Sequence, residues 1–171
     1  MKLSDRNWKP FYIGELDFQI INSKAYHKTN LTINTKGIPY ISRTNLNNGL
    51  DSIVLFNEED IKNPKNTIVF GAENAKFFYQ PFKYITGNKM YYIKNNNFNK
   101  YIGLFLVSCL DKSIQKCGFG YGQGLTGTRF KNRSIYLPIN EAGNPDYEFM
   151  EAYMRYLEQK KLKTYLDYLN K

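Results

Sequence analysis

Apolar positions in this chain come in short runs broken by polar turns until the C-terminal third, where the pattern changes. Phe18 and Ile20, and again Leu31 and Ile33, alternate with polar neighbours. Ile38, Tyr40 and Ile41 form a further strand that leads into the polar set Ser42, Arg43, Thr44, Asn45, Asn47 and Asn48, with a turn at Asn48-Gly49. Residues 53–56, 66–71 and 89–94 read as additional strands, the second ending in Gly71. Trp8 to Gly14 opens the chain, and Pro10 argues for an extended segment or turn there rather than a helix interior. Tyr101 to Leu110 is the most continuous apolar run; periodicity alone does not separate helix from buried strand, and its length favours a helix reaching about Cys117. Residues 128–138 read as a basic strand, with Arg129, Lys131 and Arg133 ahead of Ile135-Tyr-Leu-Pro138.

From Asn144 the pattern becomes helical. Asn144-Pro145-Asp146 reads as a start, with Asn144 as cap, Pro145 at the first position and Asp146 and Glu148 near the positive end of the helix dipole. No Gly or Pro follows as far as Leu169. Phe149, Met150, Tyr153 and Leu157 make one apolar stripe; Leu162, Tyr165, Leu166 and Leu169 make a second, out of phase, after the polar stretch 158–161. Either the helix bends there, or its first half packs on its own domain and its second half on another chain, which is the reading favoured. The expected fold class is α+β: a mainly β domain with a helix-containing core over residues 1–143, then a long C-terminal helix over 144–171.

Length and composition fit one domain with a real core: 171 residues, 42% of them hydrophobic. Charge adds a direction. With 24 Lys and Arg against 15 Asp and Glu the chain carries +9, which favours a polyanionic partner such as nucleic acid, although Lys- and Asn-rich composition also arises in AT-rich genomes. Cys109, Cys117 and the single His27 do not form a zinc set, and no His-centred catalytic pattern surrounds His27, so no cofactor is expected. With no apolar run of membrane-spanning length and no signal-peptide core in the first residues, the expected location is the cytoplasm, away from membranes.

The segment 36–49 holds the clearest candidate chemistry, because Arg pairs with guanine and Asn with adenine through two hydrogen bonds each. Gly118 to Gly127 holds five of the twelve glycines, so that backbone turns sharply or lies against something. Gly122-Gln-Gly-Leu-Thr-Gly127 matches a dinucleotide fingerprint by spacing only, because a basic strand and Pro138 follow where a βαβ unit would continue. Asp146 with Glu158 and Lys160 imitates a nuclease set, but residues two apart on a helix point to different faces. No complete catalytic constellation is present, so an enzyme is the least supported class.

Taken in order, Trp8-x-x-Phe11-x-Ile13-Gly14, Gly37-x-Pro39-Tyr-Ile-Ser-Arg43-Thr44 with Asn47-Asn48-Gly49, Asn66-Thr-Ile68 with Gly71 and Phe78-Tyr79-Gln80, Tyr121-Gly122 with Leu125-Thr126, and Ile135-x-Leu137-Pro138 leading through Pro145-Asp146 to the long helix span nearly the whole chain. In these pieces it resembles one target-recognition domain of the specificity (S) subunit of type I restriction-modification systems. The resemblance implies a non-catalytic, double-stranded-DNA-binding subunit that directs an adenine methyltransferase (modification) subunit, and in the full complex a restriction subunit, to a bipartite site. A usual S subunit has two such domains joined by long helices; with one domain and one helix, two copies would pair as a homodimer on a symmetric site, the alternative being the product of a broken or phase-variable gene. Residues 1–143 would then be the DNA-binding domain and 144–171 the spacer and dimerisation helix, using Leu157, Leu162, Tyr165, Leu166 and Leu169. Arg43, Thr44, Asn47 and Asn48 would stand near DNA, with Arg43 reading a base; Lys76, Tyr79, Gln80, Tyr121, Gln123, Arg129, Lys131 and Arg133 would add base or phosphate contacts, a structural role weighing more for Tyr79 and Gln80. Two other classes remain: a stand-alone sequence-specific DNA-binding protein, which would bind tightly when purified alone, and a β interaction domain for a partner other than nucleic acid, which would show little salt-dependent DNA affinity.

Overall fold

The computed structural model describes residues 1–120 and 122–170. In chain order its strands and helices are β1 (Trp8–Tyr12), β2 (Gln19–Asn22), β3 (Ile33–Ile41), β4 (Leu50–Val54), β5 (Thr67–Gly71), β6 (Phe77–Gln80), β7 (Ile85–Thr86), β8 (Met90–Lys94), α1 (Lys100–Ser113), α2 (Gly127–Lys131), β9 (Ser134–Pro138) and α3 (Tyr147–Leu169). They form an antiparallel sheet in the order β2-β8-β5-β6, a second sheet β4-β3-β7 in which β3 and β7 run parallel, and a two-stranded ribbon β1-β9. The α+β class expected from sequence is the class observed.

β5 is buried at all five positions, as its unbroken Thr-Ile-Val-Phe-Gly run requires. Ile68 and Phe70 face the main core with α1, Phe77 and Phe130, whereas Val69 faces Ile41, Tyr84 and Met90 on the other side. Tyr84 is fully buried; its hydroxyl lies 3.0 Å from that of Thr67, and burial pushes its phenol well above the usual tyrosine range. Helix α1 lies over the sheet with Ile102, Phe105, Leu106 and Leu110 buried. It comes so close at Gly103 that a Cβ there would sit 2.3 Å from Tyr79 Cδ2.

Three expectations about element boundaries are corrected. The apolar helix ends at Ser113 rather than near Cys117, because Lys116 and Gly118 both take left-handed backbone (φ +62° and +68°). The basic stretch 128–138 is not one strand. Thr126 caps α2, its hydroxyl accepting from the Arg129 amide at 3.4 Å, and extended backbone resumes only at Ser134. What holds this short helix is Phe130, buried with its ring 4.9 Å from Phe70 and 5.4 Å from Phe77. The long helix starts at Tyr147 with Asp146, not Asn144, as its cap: the Asp146 carboxylate accepts from the Phe149 amide at 2.9 Å, and Pro145 lies before the helix, bridged to Ile139.

α3 is continuous to Leu169, and its two halves meet different surroundings. Phe149 and Met150 are buried, and Tyr153 packs edge-on to Phe105. A polar cluster then ties it to the start of α1: Lys100 pairs with Glu158, Tyr101 donates to Glu158 at 2.7 Å, Arg155 pairs with Glu151 and lies 4.1 Å from the Tyr101 ring centre. The Lys100 hydrogen bond, followed by that from Tyr101, holds the Glu158 carboxyl below the usual range. Beyond it Leu162, Tyr165, Leu166 and Leu169 are each more than half exposed. Leu157 belongs to the packed half, lining a groove with Trp8, Phe105, Tyr136 and Tyr153. Among the described residues no helix is long and apolar enough to cross a membrane.

The α1–β6 approach is a sharp test of this packing. Gly103→Val forces the Tyr79 ring aside and should cost about 1–3 kcal/mol, lowering the melting temperature by roughly 2–4 °C per kcal/mol. Thermal denaturation followed by circular dichroism reads it.

Candidate nucleic-acid interface

The loop after β3 begins where Ile41 leaves the core and ends where β4 begins, and the Ser42 amide donates to the Gly49 carbonyl at 3.0 Å to close it. Asn47, Asn48 and Gly49 take left-handed backbone in succession (φ +50°, +55° and +78°), a run that Asn and Gly tolerate better than other residues. The Asn48 side-chain amide donates to the Tyr79 carbonyl at 2.9 Å, and Gln80 donates back to the Asn48 carbonyl at 3.0 Å. Tyr79 is 4% exposed, its hydroxyl donating to Asn66 at 2.7 Å, and burial raises its phenol above the usual range. Asn48, Tyr79 and Gln80 therefore fasten the loop to the edge strand β6, whereas Asn47 stays exposed beside them.

The loop's other shoulder meets the β5–β6 turn. Asn74 donates to the Asn45 side chain at 2.9 Å and, more weakly, to the Thr44 carbonyl at 3.4 Å. Thr44 in turn accepts from the Leu46 amide at 3.2 Å. Glu73, one residue before Asn74, pairs with both Arg43 and Lys89. The turn is also joined to its other neighbours: the Ala72 amide donates to Lys89 at 2.9 Å, and the Leu125 amide donates to the Ala72 carbonyl at 2.7 Å. The loop after β3, the β5–β6 turn, the turn before β8 and the glycine-rich segment thus converge at one end of the four-stranded sheet.

The remaining expected residues spread outward from this convergence. Lys76 pairs with Asp111 of α1 at the base of the turn. Gln123 lies in the glycine-rich segment, its main chain bonded to Gly120. Arg129 donates to the Gly124 carbonyl at 2.9 Å and braces that segment; Lys131 is exposed at the end of α2. Arg133 turns inward, donating to Ser113 at 3.3 Å and Cys117 at 2.8 Å at the C-terminal end of α1, where a cation complements the helix dipole. Tyr121 lies outside the described residues. Glu73, Asn74 and Lys89 were not among the expected residues; their partners are distant in sequence, and no local pattern marks them. Among the described residues no group of three or more His, Cys, Asp or Glu side chains is placed to hold a metal ion.

The model of the type I restriction modification DNA specificity domain matches residues 5–165. The chain belongs to this family. A curated specificity-domain relative is the "Type II restriction enzyme BgcI specificity subunit S.BcgI" of Heyndrickxia coagulans, 29% identical over 160 residues, which are 92% of this chain and 46% of that protein. The fold is shared with the type I restriction-modification S subunit from M. genitalium (TM-score 0.61, 13% identity, 98% of this chain and 43% of that one) and the HsdS subunit from Thermoanaerobacter tengcongensis (TM-score 0.57, 14% identity, 90% and 38%). This specificity-domain chain spans under half the length of each of these relatives.

The tie between loop and edge strand predicts two different effects at one residue. Asn48→Ala removes a hydrogen bond and forces Ala into left-handed backbone, and should cost about 1–3 kcal/mol. Asn48→Gly loses the same bond but relieves the backbone, so it should be the milder change; urea denaturation of the two variants checks the order.

Proposed function

We propose that this chain supplies DNA sequence recognition to a restriction-modification complex and does no chemistry itself. The observation that carries the reading is the convergence, in a chain of charge +9 within the specificity-domain family, of the Arg- and Asn-bearing loop with the β5–β6 turn and the glycine-rich segment. Polar side chains on a braced loop suit base edges, and backbone amides of a glycine-rich segment suit phosphates. In this reading Arg43, Asn47 and the neighbouring loop atoms enter the major groove. Lys89, Lys131 and the glycine-rich segment meet the backbone. Asn48, Tyr79, Gln80 and Arg133 hold the loop and its scaffold.

The partners in this reading are double-stranded DNA, an adenine methyltransferase subunit and, through it, a restriction subunit. The distal half of α3, with Leu162, Tyr165, Leu166 and Leu169 exposed, pairs with the same segment of a second copy; a two-fold dimer then reads a bipartite target with inverted halves.

Co-expression with the methyltransferase subunit, followed by sequencing of methylated adenines, tests the recognition role. Two identical inverted halves are the expected result; unequal halves would mean that a different recognition domain reads the second half, and the absence of any motif would overturn the role. Pairing through α3 has a separate readout. Leu162→Lys with Leu166→Lys should halve the assembly's mass in light scattering while changing domain stability by no more than about 0.5 kcal/mol, as exposed positions do. An unchanged mass would place the partner elsewhere.

A further inference from the structure

The carboxylate of Glu73 stands among the cations of the candidate interface, where a polyanion would be repelled by it. It is held there by its surroundings. The Ala75 amide donates to the Gly71 carbonyl at 2.9 Å, Ala75 takes left-handed backbone at φ +46°, and Asn74 is bonded to the loop at Asn45. A Cβ on Gly71 would come within 2.8 Å of Arg43 Cγ and 2.2 Å of Asn74 Oδ1, so the Arg43 stem and the turn are fitted to each other across that glycine. Glu73 pairs with Arg43 on one side and Lys89 on the other, and the three side chains are 20%, 34% and 54% exposed. The pair is sheltered enough to hold its geometry and open enough for a groove to reach it.

We propose that Glu73 is a positioning residue for sequence readout: it occupies part of the Arg43 guanidinium and restrains Lys89, so that Arg43 presents its remaining N–H donors in one direction and is withheld from phosphates. The inference rests on the recognition role proposed above. A guanidinium has five N–H donors, and paired bonding to guanine uses two, leaving donors for a carboxylate behind it. A free Arg side chain reaches for the nearest phosphate on any sequence; one restrained by a carboxylate gives up that contact and keeps the directional one. Glu73 thereby lowers affinity for DNA in general and raises discrimination between sequences. A residue needed only for folding would move both in the same direction.

The test uses the complex with its methyltransferase subunit in four forms, wild type, Glu73→Gln, Arg43→Ala and the double variant, titrated at several salt concentrations against the methylated target, its single-base variants and a random duplex. Glu73→Gln should bind the random duplex several-fold more tightly, with a salt slope steeper by about one. It should also lose on the order of tenfold discrimination at one base pair, and in the Arg43→Ala background it should change discrimination no further. Glu73→Asp, which keeps the charge, should restore most of the discrimination, and equal melting temperatures confirm intact folding. A uniform loss of binding with a lower melting temperature, or no change, would overturn the proposal. Lost discrimination that persists without Arg43 would overturn it in favour of direct reading by Glu73, because a carboxylate can accept from the cytosine amino group. A wild-type complex that binds every duplex alike would instead refute the recognition role, and this inference with it.

Discussion

β5 has no face to give to water. Its side chains alternate between two cores, so the chain must build cover on both sides, and each cover brings one part of the candidate interface with it. On one side α1 and Phe130 close over Ile68 and Phe70, and the segment that delivers Phe130 is the glycine-rich one. On the other, Ile41 and Tyr84 close over Val69, and the residues that follow Ile41 are the Arg- and Asn-bearing loop. The turn that ends β5 lies between the two. Packing at a single strand therefore fixes where three otherwise unrelated loops meet, and apolar burial supplies the driving force for a polar arrangement.

The polar arrangement is itself layered. Asn48, Gln80 and Asn74 use their side chains on backbone or loop atoms, which satisfies groups at a sheet edge and removes the loop's freedom. Arg43 and Lys89 are held by Glu73 at the outer level. A partner meeting this surface encounters groups that have already lost much of their conformational entropy, which is the condition under which few contacts give discrimination. The long helix shows the same economy: the cluster around Tyr101 and Glu158 fixes its direction before it leaves the domain.

How much of this was legible beforehand follows from the range of each cause. The first stripe of α3 was readable because its apolar pattern repeats within a few residues, and β5 and α1 because the lengths of their continuous apolar runs suit a strand and a helix. α2 was not, because one buried ring, Phe130, outweighs an alternation of basic residues that imitates a strand. The cap of α3 moved by two residues because Pro145 bridges to Ile139 and the Asp146 amide donates to the Pro138 carbonyl at 2.9 Å, which keeps both residues out of the helix. The same limit applies to the interface. Arg43 and the Asn-Asn-Gly turn announce themselves locally, whereas the inward turn of Arg133 and the place of Glu73 depend on contacts that no window of sequence contains.

The division within the loop after β3 bears on how such a chain changes over evolutionary time. Its anchors are Asn48 and the closing bond from Ser42 to Gly49, while Leu46 and Asn47 project outward, Leu46 being 70% exposed. A substitution at Leu46 alters what the loop offers to a partner at little expense in folding free energy, about 0.5 kcal/mol or less for typical surface sites, whereas the left-handed backbone of Asn47 favours Asn or Gly there. A lineage can then drift among chemical preferences at the loop tip while the scaffold beneath stays under strict selection, so divergence should concentrate in a few side chains and leave the neighbouring backbone ties unaltered.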